Sequence, residues 1–268
     1  MPAHRLLALP LALLLAGSLA ACGGGSPAAS EPPEPSRTQA ETPTPTPTPT
    51  VEPLTTENVI ARLTAAQAAI TSYDVALSIT GSTPMEITGA ADLAAGKRNI
   101  AMAMSDPDIG ALEMRFVDGV LFLKMAMLTG DLYLQLDPND ASNELAAAFG
   151  GLDDAIMESG FEGTEDAVVS VTPVGQPEVL DGVEVQAYEV VLDTAKFSAE
   201  AASDMLEEGM DALPPTVTFT YWVDGDDVPR KTVHELNGSV TTIIVTNLGA
   251  GSPVTAPAPE QIMTDMPF

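Results

Sequence analysis

The chain has 268 residues, with 38 acidic side chains against 10 basic ones and a formal net charge of −28. That balance excludes nucleic acid as a partner, because backbone binding needs clustered Lys and Arg, and it disfavours peripheral docking on anionic headgroups. A single cysteine excludes an internal disulfide, so the folded part has to rest on an apolar core.

Arg5 precedes an apolar run over residues 6–16, too short for a membrane span and followed by small residues. This pattern predicts a secretory signal peptide. Leu19-Ala20-Ala21-Cys22 closes it and resembles a lipobox, in which the cysteine thiol takes a diacylglycerol and the leader is cut just before it. The competing reading is a soluble secreted protein cut after Ala21. The expected organisation is a lipoprotein signal peptide over residues 1–21, a disordered Pro/Thr-rich tether over 22–54 and a globular domain over 55–268. Lipidated Cys22 would anchor the chain to the outer face of the cytoplasmic membrane. Alternating Thr and Pro around residues 42–50 favour an extended, unpacked backbone, which suits a tether.

Residues 58–70 predict a helix. Val59, Ile60, Leu63, Ala66 and Ile70 recur at helical spacing, and Thr55 or Thr56 is the expected cap. After Thr71 the period falls to two. Tyr73, Val75, Leu77 and Ile79 alternate with Asp74, Ala76, Ser78 and Thr80, the pattern of a half-buried strand. Met85, Ile87, Gly89 and Ala91 repeat it. Ile100, Met102 and Met104 share one side of a third strand, and Leu112, Met114 and Phe116 one side of a fourth. Beyond the Asp118-Gly119 turn, strands over 120–125 and 132–136 continue the meander.

Residues 140–159 change to helical spacing, with Leu145, Phe149, Leu152 and Ile156 apolar and Asp140 or Ser142 as the cap. Strands return over 168–174 and 183–192. A helix is expected over 194–209, then strands over 216–223, 228–236 and 240–248. Asp181-Gly182, Asp224-Gly225 and Asn237-Gly238 mark turns. The Pro-rich end, 251–268, is expected to run irregularly along the surface. The whole predicts an α+β domain, one wide antiparallel sheet with inserted helices as its cover.

Candidate chemistry is thin. His234 sits in a strand without the His/Cys/Asp spacing of a zinc site. Asp224-Gly225-Asp226-Asp227 has no flanking helix pair and reads as an acidic hairpin turn rather than a calcium loop. No serine lies in a Gly-x-Ser-x-Gly elbow. The expectation is a non-enzyme with no catalytic residue, metal or cofactor. Met102, Met104, Met114 and Met125 suit either a plain core or an irregular apolar cavity.

Several stretches resemble one family. They are Val171-Thr172-Pro173-Val174-Gly175, Leu180-Asp181-Gly182-Val183 and Tyr188-Glu189-Val190, then Tyr221-Trp222-Val223-Asp224 after Leu213-Pro214, and Val245-Thr246-Asn247-Leu248 leading into Pro253-Val254. Together with the lipobox they resemble the actinobacterial LppX/LprAFG family of envelope lipoproteins. The stalk is longer than that family's, and the aromatic-rich face is thin. The resemblance implies a half-barrel sheet with helices covering its concave face and an apolar cavity between them. It implies that the chain binds and carries a lipid or lipoglycan across the envelope. On that reading the cavity is lined by Met102, Met104, Met114, Phe116 and Phe122 from the sheet and by Leu145, Phe149 and Ile156 from the helical cover. A one-residue slip in register would swap the faces. The rival reading is a non-catalytic surface module for protein binding or adhesion, in which the space between sheet and helices is filled.

Overall fold

The stretches of alternating apolar and polar residues form eleven strands. These are β1 (Ser72–Thr80), β2 (Met85–Asp92), β3 (Asn99–Asp106), β4 (Gly110–Val117), β5 (Val120–Met125), β6 (Leu134–Leu136), β7 (Val168–Leu180), β8 (Val183–Asp193), β9 (Thr216–Asp224), β10 (Pro229–Leu236) and β11 (Ser239–Thr246). The helices are α1 (Val59–Ala68), α2 (Ala126–Thr129), α3 (Glu144–Ala147) and α4 (Ala199–Asp204). This computed structural model describes residues 52–81, 84–106, 110–140, 143–147, 161, 163–206 and 212–263. All lie within one compact unit, Thr50–Phe268.

The strands make a single sheet in the order β6-β5-β4-β3-β2-β1-β11-β10-β9-β8-β7. Every pairing is antiparallel. The order ends at β6 and β7, so the sheet is an open half-barrel, the α+β class expected. Three of the expected hairpin turns have both central residues at positive φ: Asp118 and Gly119 at 51° and 83°, Asp181 and Gly182 at 49° and 80°, Asn237 and Gly238 at 50° and 79°. That is the geometry whose twist matches the flanking strands. The fourth turn is built differently. Asp227 carries the positive φ, 65°. The Asp224 carboxylate accepts from the Asp226 and Val228 amides at 2.9 and 3.0 Å and from Arg230 Nε at 2.6 Å.

Several expected caps and limits shift. Neither Thr55 nor Thr56 caps α1 through its hydroxyl; the Thr55 carbonyl accepts from the Val59 amide at 3.0 Å. Asn143, rather than Asp140, caps α3, its Oδ1 accepting from Leu145 and Ala146 at 3.1 and 3.2 Å. Ser142 lies outside the described residues. The helix expected from 194 is interrupted, because Ser198 is extended and restarts it as a cap, accepting from the Ala201 amide at 3.0 Å.

Side chains directly opposite in an antiparallel pair share a face, so the register divides the sheet into two faces. On the first, α1 buries Val59, Ile60 and Leu63 against Val190, Leu192, Val217 and Tyr221 of β8 and β9. Arg62 pins that helix in place. Its guanidinium grips the Asp227 carboxylate at 2.9 and 2.5 Å and donates to the Glu52 carbonyl at 2.7 Å. At the other end of the same face Ala146 of α3 packs on Met114, Phe116, Leu121, Leu123, Leu134 and Leu136. This covered face therefore carries two separate apolar clusters.

Over residues 251–263 the C-terminal stretch runs along the surface, irregular through residue 258 as expected, and it is docked there, crossing the outer face as a strap. Val254, 5% exposed, packs with Ala90, Val117, Phe122 and Tyr133. The strap then bridges the β6 edge: the Tyr133 amide donates to the Gln261 carbonyl at 2.7 Å, and the Met263 amide to the Tyr133 carbonyl at 2.9 Å. At its start Gly251 lies so close to β1 that a Cβ there would sit 2.6 Å from the Tyr73 nitrogen and 2.8 Å from its carbonyl carbon. Gly251→Ala should lower stability by about 1–3 kcal/mol, the usual cost of overpacking against backbone. Urea unfolding checks this; an unchanged midpoint would mean the strap lifts there without cost.

Candidate functional site

On the covered face the register aligns apolar side chains in rows that cross the sheet. One row runs Tyr73, Ala91, Ile100, Phe116, Leu121 and Leu136. The next runs Val245, Val75, Gly89, Met102, Met114, Leu123 and Leu134. The third runs Ile243, Leu77, Ile87, Met104, Leu112 and Met125. No member of the three rows is charged.

Burial is graded across the rows. In the Tyr73 row every member except Tyr73 is buried. In the middle row Met114, Leu123 and Leu134 are buried, whereas Val245, Val75, Gly89 and Met102 are half-buried. In the third row all six are half-buried. Gly89 sits at the centre of this surface, flanked by Val75 and Met102. A Cβ there would come within 2.7 Å of the Ala101 carbonyl oxygen and 3.2 Å of Val75 Cγ1, so only glycine fits this close strand approach. Burial pushes the Tyr73 phenol above the usual tyrosine range. This uncharged surface, which we call the trough, is half-buried along the Leu77 row and offers nothing to bind a charge.

The residues expected to line a cavity divide over this geometry. Met102, Met104, Met114 and Phe116 share the covered face. Met102 and Met104 are half-buried in the trough, while Met114 and Phe116, 8% and 4% exposed, belong to the packed cluster. Leu145 packs against the same cluster. Phe122 is a correction: it pairs with Arg115 and Gln135 and lies on the outer face beneath the strap. The run Leu121-Phe122-Leu123 is buried on both faces, so it shows no alternation from which a side could be read. Phe149 and Ile156 lie outside the described residues. Sequence reasoning missed Val75, Leu77, Ile87, Ile243 and Val245 as trough residues. The alternation marked them as strand faces; the β1–β2–β3 register sets Val75, Leu77 and Ile87 beside the methionines, and the pairing of β1 with β11 adds Ile243 and Val245.

The aromatic side chains gather elsewhere on the covered face. Phe219 stacks on Tyr221 at 5.7 Å between ring centres, and His234 lies 4.9 Å from Phe219. His234 thus belongs to an aromatic ladder on β9 and β10. Trp222 faces outward, its indole donating to Glu178 with the Lys231 ammonium 4.1 Å above the ring centre. Among the described residues there is no cluster of three or more His, Cys, Asp or Glu side chains placed to hold a metal.

The outer face carries an open groove of about 450 Å³ whose lining includes Ala76, Thr88, Ala101, Ala103, Glu113 and Arg115, with Ser252 of the strap also bordering it. Short side chains on the central strands shape it. Polar contacts border it, and at one end they reach the strap. Glu113 accepts from Lys124 Nζ at 2.7 Å and from the Tyr133 hydroxyl at 2.5 Å, and the Arg115 guanidinium lies 5.0 Å from the Tyr133 ring centre. At the other end Asp74 accepts from Asn247 Nδ2 at 2.6 Å and from the Ser252 amide at 2.8 Å.

No family model matches the chain, and no curated protein matches it. Solved structures do. Its structural neighbours include lipoproteins of the LppX/LprAFG family. The lipoprotein LppX of Mycobacterium tuberculosis matches with a TM-score of 0.49 and 15% identity, over 75% of this chain and 98% of that one. LprF from Mycobacterium bovis gives 0.49 and 15%, over 76% and 96%. The MucA/MucB complex of Pseudomonas aeruginosa gives 0.35 and 12%, over 78% and 61%. Among the described residues no helix is long and apolar enough to cross a membrane.

The electrostatics of the strap have a definite sign. The hydrogen bond from Lys124, followed by that from Tyr133, holds the Glu113 carboxyl below the usual glutamate range. Asn247 and then the Ser252 amide do the same for Asp74. Both carboxyls are depressed by folding, so their stabilisation is present above the ordinary carboxylate range and is lost as pH falls through the folded values. Acidification below about pH 4, the unperturbed carboxylate range, should therefore loosen the strap where Asp74 holds the Ser252 amide. The Val254 methyl resonances report its docking; shifts that stay constant down to acid unfolding of the sheet would contradict this.

Proposed function

We propose that the chain is an extracytoplasmic, membrane-anchored lipoprotein that binds and carries a lipid or lipoglycan, its acyl chains lying along the covered face. Cys22 is the anchor in this reading. The observation that carries it is the set of three uncharged rows, loosening from the Tyr73 end to the Leu77 end in a chain of net charge −28. Acyl methylenes need apolar surface and no specific polar partner, and each one removed from water contributes about 0.8 kcal/mol. The half-buried Met102 and Met104 add side chains that follow irregular apolar shapes. The role is binding without chemistry on the ligand, since the trough presents no nucleophile, acid or base. The fold likeness to LppX and LprF agrees with the reading but does not carry it.

The test is native mass spectrometry of the chain from Gly23 onward, followed by organic extraction. Wild-type protein should retain an extractable lipid or take up a fluorescent one from vesicles. Leu77→Asp and Met102→Lys should each weaken uptake at least about tenfold, because an ionised side chain in the trough costs more than the 1.4 kcal/mol that a factor of ten represents. Val179→Asp, on the exposed outer strand β7, should change nothing. A folded wild-type protein that holds no lipid and takes none up would reject carriage in favour of the protein-binding module.

A further inference from the structure

We infer that the short turn carrying Met127 is the part of the protein that enters a bilayer surface when lipid is exchanged. The inference rests on the carrier reading but assigns a separate surface, outside the trough. On the carrier reading a ligand would enter at the Leu77 row, whose members are all half-buried, while every member of the Tyr73 row but Tyr73 is buried. Met125 ends that row on β5 and passes directly into α2. On α2, Met127 is 80% exposed, more than any other large apolar side chain described. Leu132, 37% exposed, follows a few residues on.

Two further features separate this tip from an incidental exposed methionine. Residues 126–130, Ala-Met-Leu-Thr-Gly, carry no charge in a chain with 38 acids and 10 bases, with the exposed Asp131 directly after them. The turn is also fixed. The buried Thr129 hydroxyl donates to the Met125 carbonyl and accepts from the Met125 amide, both at 3.1 Å, which locks the tip against the end of β5. A rigid, uncharged apolar tip beside the open end of the trough suits insertion between headgroups, where an amphipathic or apolar element gains by burying its side chains. The chain's charge selects the surface: an acidic protein is repelled by anionic headgroups, so the partner is a zwitterionic bilayer.

The chain from Gly23 onward lacks cysteine, so Met127→Cys supplies a single labelling site. An environment-sensitive fluorophore there should brighten several-fold and shift to the blue on addition of phosphatidylcholine vesicles. The same label at Val179→Cys, 66% exposed on the far edge strand, should not respond. No response at 127, or equal responses at both sites, overturns the inference. In parallel, Met127→Asp should slow uptake of a fluorescent phospholipid from vesicles about tenfold while leaving uptake of a monomeric short-chain lipid unchanged. Equal vesicle rates for the variant and wild type would overturn it as well. Failure of wild-type protein to take up lipid in either form would sink carriage, while the label at 127 would still decide membrane contact.

Discussion

The pairing of β1 with β11 is the constraint on which the molecule depends. Seven residue pairs, from Asp74 with Thr246 to Thr80 with Val240, join strands more than 150 positions apart in sequence. Without them the chain is two separate meanders, β1 to β6 and β7 to β11. Two of the three rows reach across this junction, at Leu77 with Ile243 and at Val75 with Val245. The clusters under α1 and α3 stand on opposite sides of the junction. Joining the half-buried surface to β11 costs the entropy of closing a long loop.

An open sheet of this width has two faces and two edges to manage, and the chain handles each with a different device. Helices serve the covered face at its two ends. The strap serves part of the outer face and also the β6 edge, through the bridge at Tyr133. The β7 edge is left in solvent, interrupted by Pro173 and Pro177, which lack the donors that a passing strand would need. Polar groups do the local tying: Arg62 to Asp227 for α1, Asp224 within its own turn, Glu113 between β5 and Tyr133, and Asp74 for the strap. The apolar trough is left free of them.

Much of this was legible in the residues. Alternation located nearly every strand of the meanders, and Asp-Gly and Asn-Gly pairs fixed three hairpins because those positions need positive φ. The α+β class and the face shared by Met102, Met104, Met114 and Phe116 followed from the same period. Three things were not legible. Strand order across β1 and β11 is a tertiary choice that no local pattern encodes. The strap's Pro-rich composition reads as loop, and its docking depends on Gly251 fitting against Tyr73 and on Val254 meeting Phe122. Phe122 itself lies in a strand covered on both sides, where period two is erased.

The position of the strap in the chain bears on how the protein is made. A ribosome delivers β1 to β6 early, with an unguarded edge and an apolar face, while β11 and the residues that bridge Tyr133 all come after residue 238. Until the last stretch emerges, the first half can neither complete its sheet nor protect its edge from a neighbouring chain. Folding of the finished domain is therefore post-synthetic. Any cell that makes it must keep the early strands apart in the meantime, a burden set by the order of the strands and not by their composition.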